Sequence, residues 1–151
     1  MRPAAFRYAL RGVALAFGAE ANMRIHLAVA EVVVYLAVVE GVDAARWAML
    51  ILAIAFVLAL ELVNTAVERA VDLTVGTRQE RLAAAAKDAA AGAVLIGAVG
   101  AAAVGFVLLW PGLFRLASVP GRPPLELGFL VLLVALVLTF RPAVRRRGPG
   151  Q

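Results

Sequence analysis

Glu61, Asn64, Glu68 and Asp72 stand at i, i+3, i+7 and i+11 in the segment ELVNTAVERAVD. At about 100° per residue they fall within roughly 80° of one helical face. Three carboxylates and an amide in one stripe repel one another unless a cation stands among them. The chain has no cysteine and a single histidine. Carboxylate and amide oxygens then suit Mg²⁺ better than zinc or copper. Mg²⁺ usually arrives with phosphates. Lys87 and Asp88, with Glu20 and Arg24, add residue types of the same kind. Such a set has the parts that phosphoryl transfer requires: cations to hold phosphates and a carboxylate to accept a hydroxyl proton. There is no Gly-x-x-x-x-Gly-Lys-Ser/Thr loop and no protein-kinase motif set, so a nucleotide site here is of another design. The same stripe would also serve as inter-helix salt bridges at a membrane edge, or line a cation path.

The elements that must position these residues are apolar. The stripe directly follows WAMLILAIAFVLAL, residues 47–60, which carries no charge. Hydrophobic residues make up 64% of the 151-residue chain, against about half in ordinary soluble domains, so most of it must face lipid or other apolar helices. About 20 apolar residues span a bilayer. Three core spans are predicted, at about 25–42, 47–71 and 89–114. Phe6, Leu10, Val13 and Phe17 share one face of a helix over 3–20, with Arg7 and Arg11 off it, which suits an amphipathic helix in the membrane interface. Arg7, Arg11, Glu20 and Arg24 interrupt any signal-peptide core, so the N-terminus is expected to be retained. A Pro/Gly loop over 115–124 precedes a fourth candidate span at 125–140, and 141–151 is a basic tail.

Charge sets the expected orientation. With four spans and a cytoplasmic N-terminus, Arg46, Arg115 and Arg122 lie outside and the other twelve of the 15 basic residues lie inside. Both termini and residues 69–88 are then cytoplasmic. Gly92, Gly97, Gly100 and Gly105 among many alanines suit close packing of the third span in the bundle or between subunits. Trp47 and Trp110 are expected as interface anchors. His26 is expected at the interface rather than in catalysis. Glu31 is costly inside a span and needs a partner, with Arg24 and Arg46 as candidates.

Three segments resemble one family. ELVNTAVERAVD is similar to the Glu-x-x-Asn-Ser/Thr-Ala-Ile/Val-Glu-x-x-x-Asp signature of the small prokaryotic diacylglycerol kinases, a family that includes undecaprenol kinases of Gram-positive bacteria. FRYALRGVALAFGAEANMRIH resembles its N-terminal segment, and AKDAAAGAVLI the start of its third helix. The resemblance runs over about residues 4–110. It implies an all-α membrane lipid kinase, trimeric, with active sites between subunits, using ATP and Mg²⁺. It implies Glu61 as catalytic base and Glu20 and Glu68 as metal ligands. Tyr8, Glu20, Arg24, Glu68, Lys87 and Asp88 are implied in ATP binding, and Asn64 and Asp72 as supporting polar groups.

The loop after Asp72, LTVGTRQERLAAA, departs from the family in lacking its Glu-Tyr-His segment. The fourth candidate span and the tail extend beyond the family core. NMRIH, NTAVE and KDAAAGAVL resemble the undecaprenol kinase branch most. The expected substrate is therefore undecaprenol, with diacylglycerol as the alternative. A non-catalytic assembly subunit or a transporter is the remoter alternative. The expected setting is the bacterial cell membrane, with the site cytoplasmic and no nucleic-acid partner.

Overall fold

The computed structural model describes residues 3–75 and 81–117. These form four α-helices: α1 (Pro3–Ala19), α2 (Ala21–Glu40), α3 (Ala44–Val75) and α4 (Arg81–Ala117). The candidate span at 125–140, the tail at 141–151 and most of the 115–124 loop lie outside the described residues. α2, α3 and the 81–112 part of α4 are each long and apolar enough to cross a membrane. Large apolar side chains on them point outward: Leu52 is 69% exposed, Ile96 76% and Val107 67%. Such surface is tolerable only against lipid or another subunit. The chain is an all-α membrane protein.

α3 and α4 exceed a bilayer in length. At about 1.5 Å per residue, some 20 residues cross the roughly 30 Å hydrocarbon layer. α3 has 32 residues and α4 has 37. α4 begins at Arg81, eight residues before the apolar run at 89, because the alanine-rich segment RLAAAAKD favours helix without being apolar enough for lipid. The surplus of both helices lies at the end where α3 finishes and α4 starts, here termed the polar end.

α1 and α2 are separated by a single residue. Glu20 is extended (φ −99°, ψ 125°), while its N–H still reaches Ala16 O at 2.9 Å. At the opposite end, α2 closes on Gly41 in the left-handed region (φ 70°), whose N–H donates to Ala37 O at 3.0 Å. An L side chain there costs about 1–2 kcal/mol. Gly41→Ala is therefore expected to lower unfolding stability by about that amount, read from denaturant midpoints in detergent micelles.

α3 starts on Asp43, which accepts the Arg46 N–H at 3.0 Å. That hydrogen bond holds the Asp43 carboxyl below the usual aspartate range. The Arg46 guanidinium also meets Asp43 at 3.4 Å and Glu40 at 3.5 Å. Glu40 packs against Gly112 of α4, where any Cβ would overlap its carboxyl group. The turn is thus tied to α4. Beneath it lies the buried cluster of Ala37, Val42, Leu50 and Leu109, with Trp47 packed against it. Trp47 thereby serves the core at this end. Trp110 stacks on Phe106, ring centroids 4.6 Å apart, and stays 46% exposed. Midway along α4, Gly97 lets Leu60 and Phe56 of α3 approach its backbone.

Candidate active site

The stripe on α3 grades from buried to open. Glu61 is 2% exposed and Asn64 5%, Glu68 is half-buried, and Asp72 is exposed. Counted from Ala44, about 20 residues of helix use up the hydrocarbon thickness near Asn64. Glu61 therefore stands at the hydrocarbon edge, and Glu68 and Asp72 lie beyond it.

Asn64 fixes the middle of the stripe. Its Nδ2 donates to Glu68 Oε1 at 3.0 Å, across one helical turn. Its Oδ1, with Glu61 Oε2 and Thr65 Oγ1, is buried and has no hydrogen-bond partner among the described residues. An unmet buried polar atom costs about 1–3 kcal/mol, so proteins rarely keep several together without a use for them. Three such atoms lie within five residues on one side of α3.

Other elements bring charge to this face. The break between α1 and α2 delivers Glu20, which pairs with Arg69 at 3.6 Å. Lys87, in the second turn of α4, meets Asp72 at 2.5 Å and closes the polar end. The structure thus gathers Glu61, Asn64, Glu68, Glu20, Asp72 and Lys87 along one side of the polar end. Among the described residues, no hydrogen bond or ion pair joins Tyr8, Arg24 or Asp88 to that group. Tyr8 is 66% exposed on α1, Asp88 is exposed, and Arg24 is half-buried.

Two residues of the site escaped the sequence reading. Thr65 is 5% exposed and four residues from Glu61, one turn along the same side of α3. Arg69 is the positive group that the stripe's repulsion demanded, but only the fold shows that it serves Glu20. Elsewhere, Arg46, one candidate partner for Glu31, is instead taken by Glu40 and Asp43 at the opposite end.

Among the described residues, no group of three or more acidic, histidine or cysteine side chains converges to hold a metal ion. That fits Mg²⁺, which is commonly bound by one or two carboxylates together with substrate phosphates rather than by an all-protein cage. Glu20 and Glu68 are the two carboxylates that the family resemblance implies for it.

Below Glu61 the surface turns apolar. A groove of about 480 Å³ between α2, α3 and α4 starts at Val57 and Leu58, one turn from Glu61, and runs to Trp110. Among the described residues that line it, only His26 and the indole of Trp110 carry side-chain polar atoms. A proton acceptor at the hydrocarbon edge, an apolar groove beneath it and a charged end above it suit an amphiphile whose polar head reacts at the surface.

Comparison with known proteins agrees with this arrangement. The family described as prokaryotic diacylglycerol kinase matches residues 7–109. A protein of Synechocystis sp. named diacylglycerol kinase is 47% identical over 111 residues, which cover 74% of this chain. The chain spans 63% of that relative's length, under two thirds. A Bacillus subtilis protein named undecaprenol kinase is 37% identical over 108 residues, covering 72% of this chain and 87% of that protein. No solved structure matches the chain.

Proposed function

We propose that this chain, which belongs to the prokaryotic diacylglycerol kinase family, transfers the γ-phosphate of ATP to the hydroxyl of a membrane lipid alcohol, undecaprenol first. The observation that carries this reading is the buried, unpartnered Glu61 oxygen between an apolar groove and a charged end. The alcohol enters sideways from the bilayer with its hydrocarbon in the groove. Its hydroxyl takes the place beside Glu61, Asn64 and Thr65 that no protein group fills.

Glu61 accepts the hydroxyl proton as the oxygen attacks the γ-phosphorus, and ADP leaves. Asn64 holds Glu68 in place through its amide. Glu20 and Glu68 would hold Mg²⁺, which neutralises charge on the phosphates when bound. Lys87 leaves Asp72 to pair with phosphate oxygens, and Asp72 keeps that lysine at the site between turnovers. The excess of basic residues supports a cytoplasmic position for this end in the bacterial membrane. A site completed by a neighbouring subunit, in a trimer, is what the family resemblance implies, and the exposed Tyr8 and Asp88 are free to face such a neighbour.

The name of the Synechocystis relative favours diacylglycerol as a second substrate reading. A transport path suits the chain less well, because residues 47–60 of α3 offer no charged group through the bilayer depth. Incubating the full chain in lipid–detergent micelles with γ-labelled MgATP, and with undecaprenol or diacylglycerol offered separately, tests both levels. Label in undecaprenyl phosphate is the expected result. Label confined to phosphatidic acid would overturn the substrate, and label in neither lipid would overturn the kinase.

A further inference from the structure

The geometry points to Arg69 as an internal counter-ion of Glu20, one that a divalent cation must displace. The inference rests on reading Glu20 as a metal carboxylate. Glu20 occupies the residue before α2, the position where a Ser, Thr, Asp or Asn side chain ordinarily accepts an N–H of the first helical turn. It makes no such capping bond. Its carboxylate lies instead 3.6 Å from Arg69 Nη2.

Arg69 follows Glu68 directly in sequence and pairs with Glu20 in space. On α3 it stands about 80° around from Glu61, outside the stripe and on the flank that meets the α1–α2 break. Its charge is permanent, because guanidinium does not titrate in proteins. A divalent cation on Glu20 and Glu68 would find that charge alongside it, and like charges at such range exclude each other. The pair can also yield. The side chains of Arg69 and Glu20 are 49% and 30% exposed, so water screens their attraction. Arg69 thus balances the charge of Glu20 while the metal is away. It swings off when the metal arrives, toward the phosphates that come with it.

A tether and a counter-ion differ in sign. Loss of a tether weakens metal binding, because Glu20 is no longer held. Loss of a counter-ion strengthens it, because a competing positive charge is gone. The measurement is Mn²⁺ binding to the nucleotide-free full chain in micelles, followed by the paramagnetic resonance of free Mn²⁺. Arg69→Gln is expected to tighten Mn²⁺ about two- to fivefold, the range in which exposed ion pairs act. Arg69→Lys, which keeps the charge, should bind as the unaltered chain does. The gain should vanish when Glu20→Gln is added to Arg69→Gln.

Unchanged or weaker binding in Arg69→Gln overturns the assignment, and so does a gain that persists without the Glu20 carboxylate. The lipid-labelling assay on the same preparations keeps the two readings apart. Tightening without label in any lipid removes the kinase and leaves the counter-ion. Label without tightening removes only the counter-ion.

Discussion

Glu61→Gln is expected to lower lipid phosphorylation by about 10²–10⁴-fold, the usual cost of losing a positioned general base. The amide has the size and shape of the carboxylate, so the close packing around this 2%-exposed side chain is preserved. It has no basic oxygen of comparable strength. The hydroxyl of the lipid would then attack without a proton acceptor at the hydrocarbon edge, where water is scarce. Nucleotide binding should change little, because Glu61 lies two helical turns from Glu68, where the phosphates and metal gather. Steady-state rates with the preferred lipid, beside nucleotide affinity and thermal stability of the same variant, provide the check. A variant with most of its turnover intact would remove Glu61 from the chemistry.

Glu68→Gln should also be severe, for a different reason. Glu68 carries one of the two carboxylates read as metal ligands, and its Oε1 is the acceptor of the Asn64 amide. A divalent cation on transferring phosphates contributes several kcal/mol of charge stabilisation, on the order of 10²–10³-fold in rate. Glutamine keeps an oxygen for Asn64 but gives up the charge. The expected signature is a steep rise in the metal concentration needed for half-maximal rate, together with the loss in turnover at ordinary Mg²⁺. Raising the metal should recover part of the activity in Glu68→Gln and none in Glu61→Gln. Equal recovery in the two variants would contradict the division of roles.

Much of this site was legible because helical geometry is local. Four positions over eleven residues lie on one face by arithmetic, and the apolar run before them placed that face at a membrane boundary. The burial gradient from Glu61 to Asp72 follows from the same arithmetic once the helix is known to outrun the bilayer. Contacts between distant segments were not legible. Nothing in the spacing shows that Glu20 reaches Arg69, or that Glu40 packs into the space a glycine leaves at position 112.

Hydropathy also understates α4, because it marks lipid contact and not helix. The turns carrying Lys87 are helical by propensity, and the apolar run by itself marks a span only from residue 89. Thr65 was passed over because a threonine in an apolar helix gives no charge signal. Its hydroxyl gains meaning only when it is found buried without a partner beside Glu61. Tyr8 and Asp88 show the reverse case, residues that the family pattern assigns to the site and that no hydrogen bond or ion pair among the described residues joins to it.

The central claim is that one face of α3 divides its labour by depth, with proton transfer at Glu61 and metal and phosphate at Glu20 and Glu68. Its most direct test is the affinity of Mn²⁺ with a non-hydrolysable ATP analogue for the unaltered chain, Glu61→Gln, Glu20→Gln and Glu68→Gln, measured side by side in lipid micelles. The account predicts near-normal affinity in Glu61→Gln and a loss of tenfold or more, about 1.4 kcal/mol, in each of the other two. A loss as large in Glu61→Gln, or unchanged affinity in both Glu20→Gln and Glu68→Gln, would contradict it.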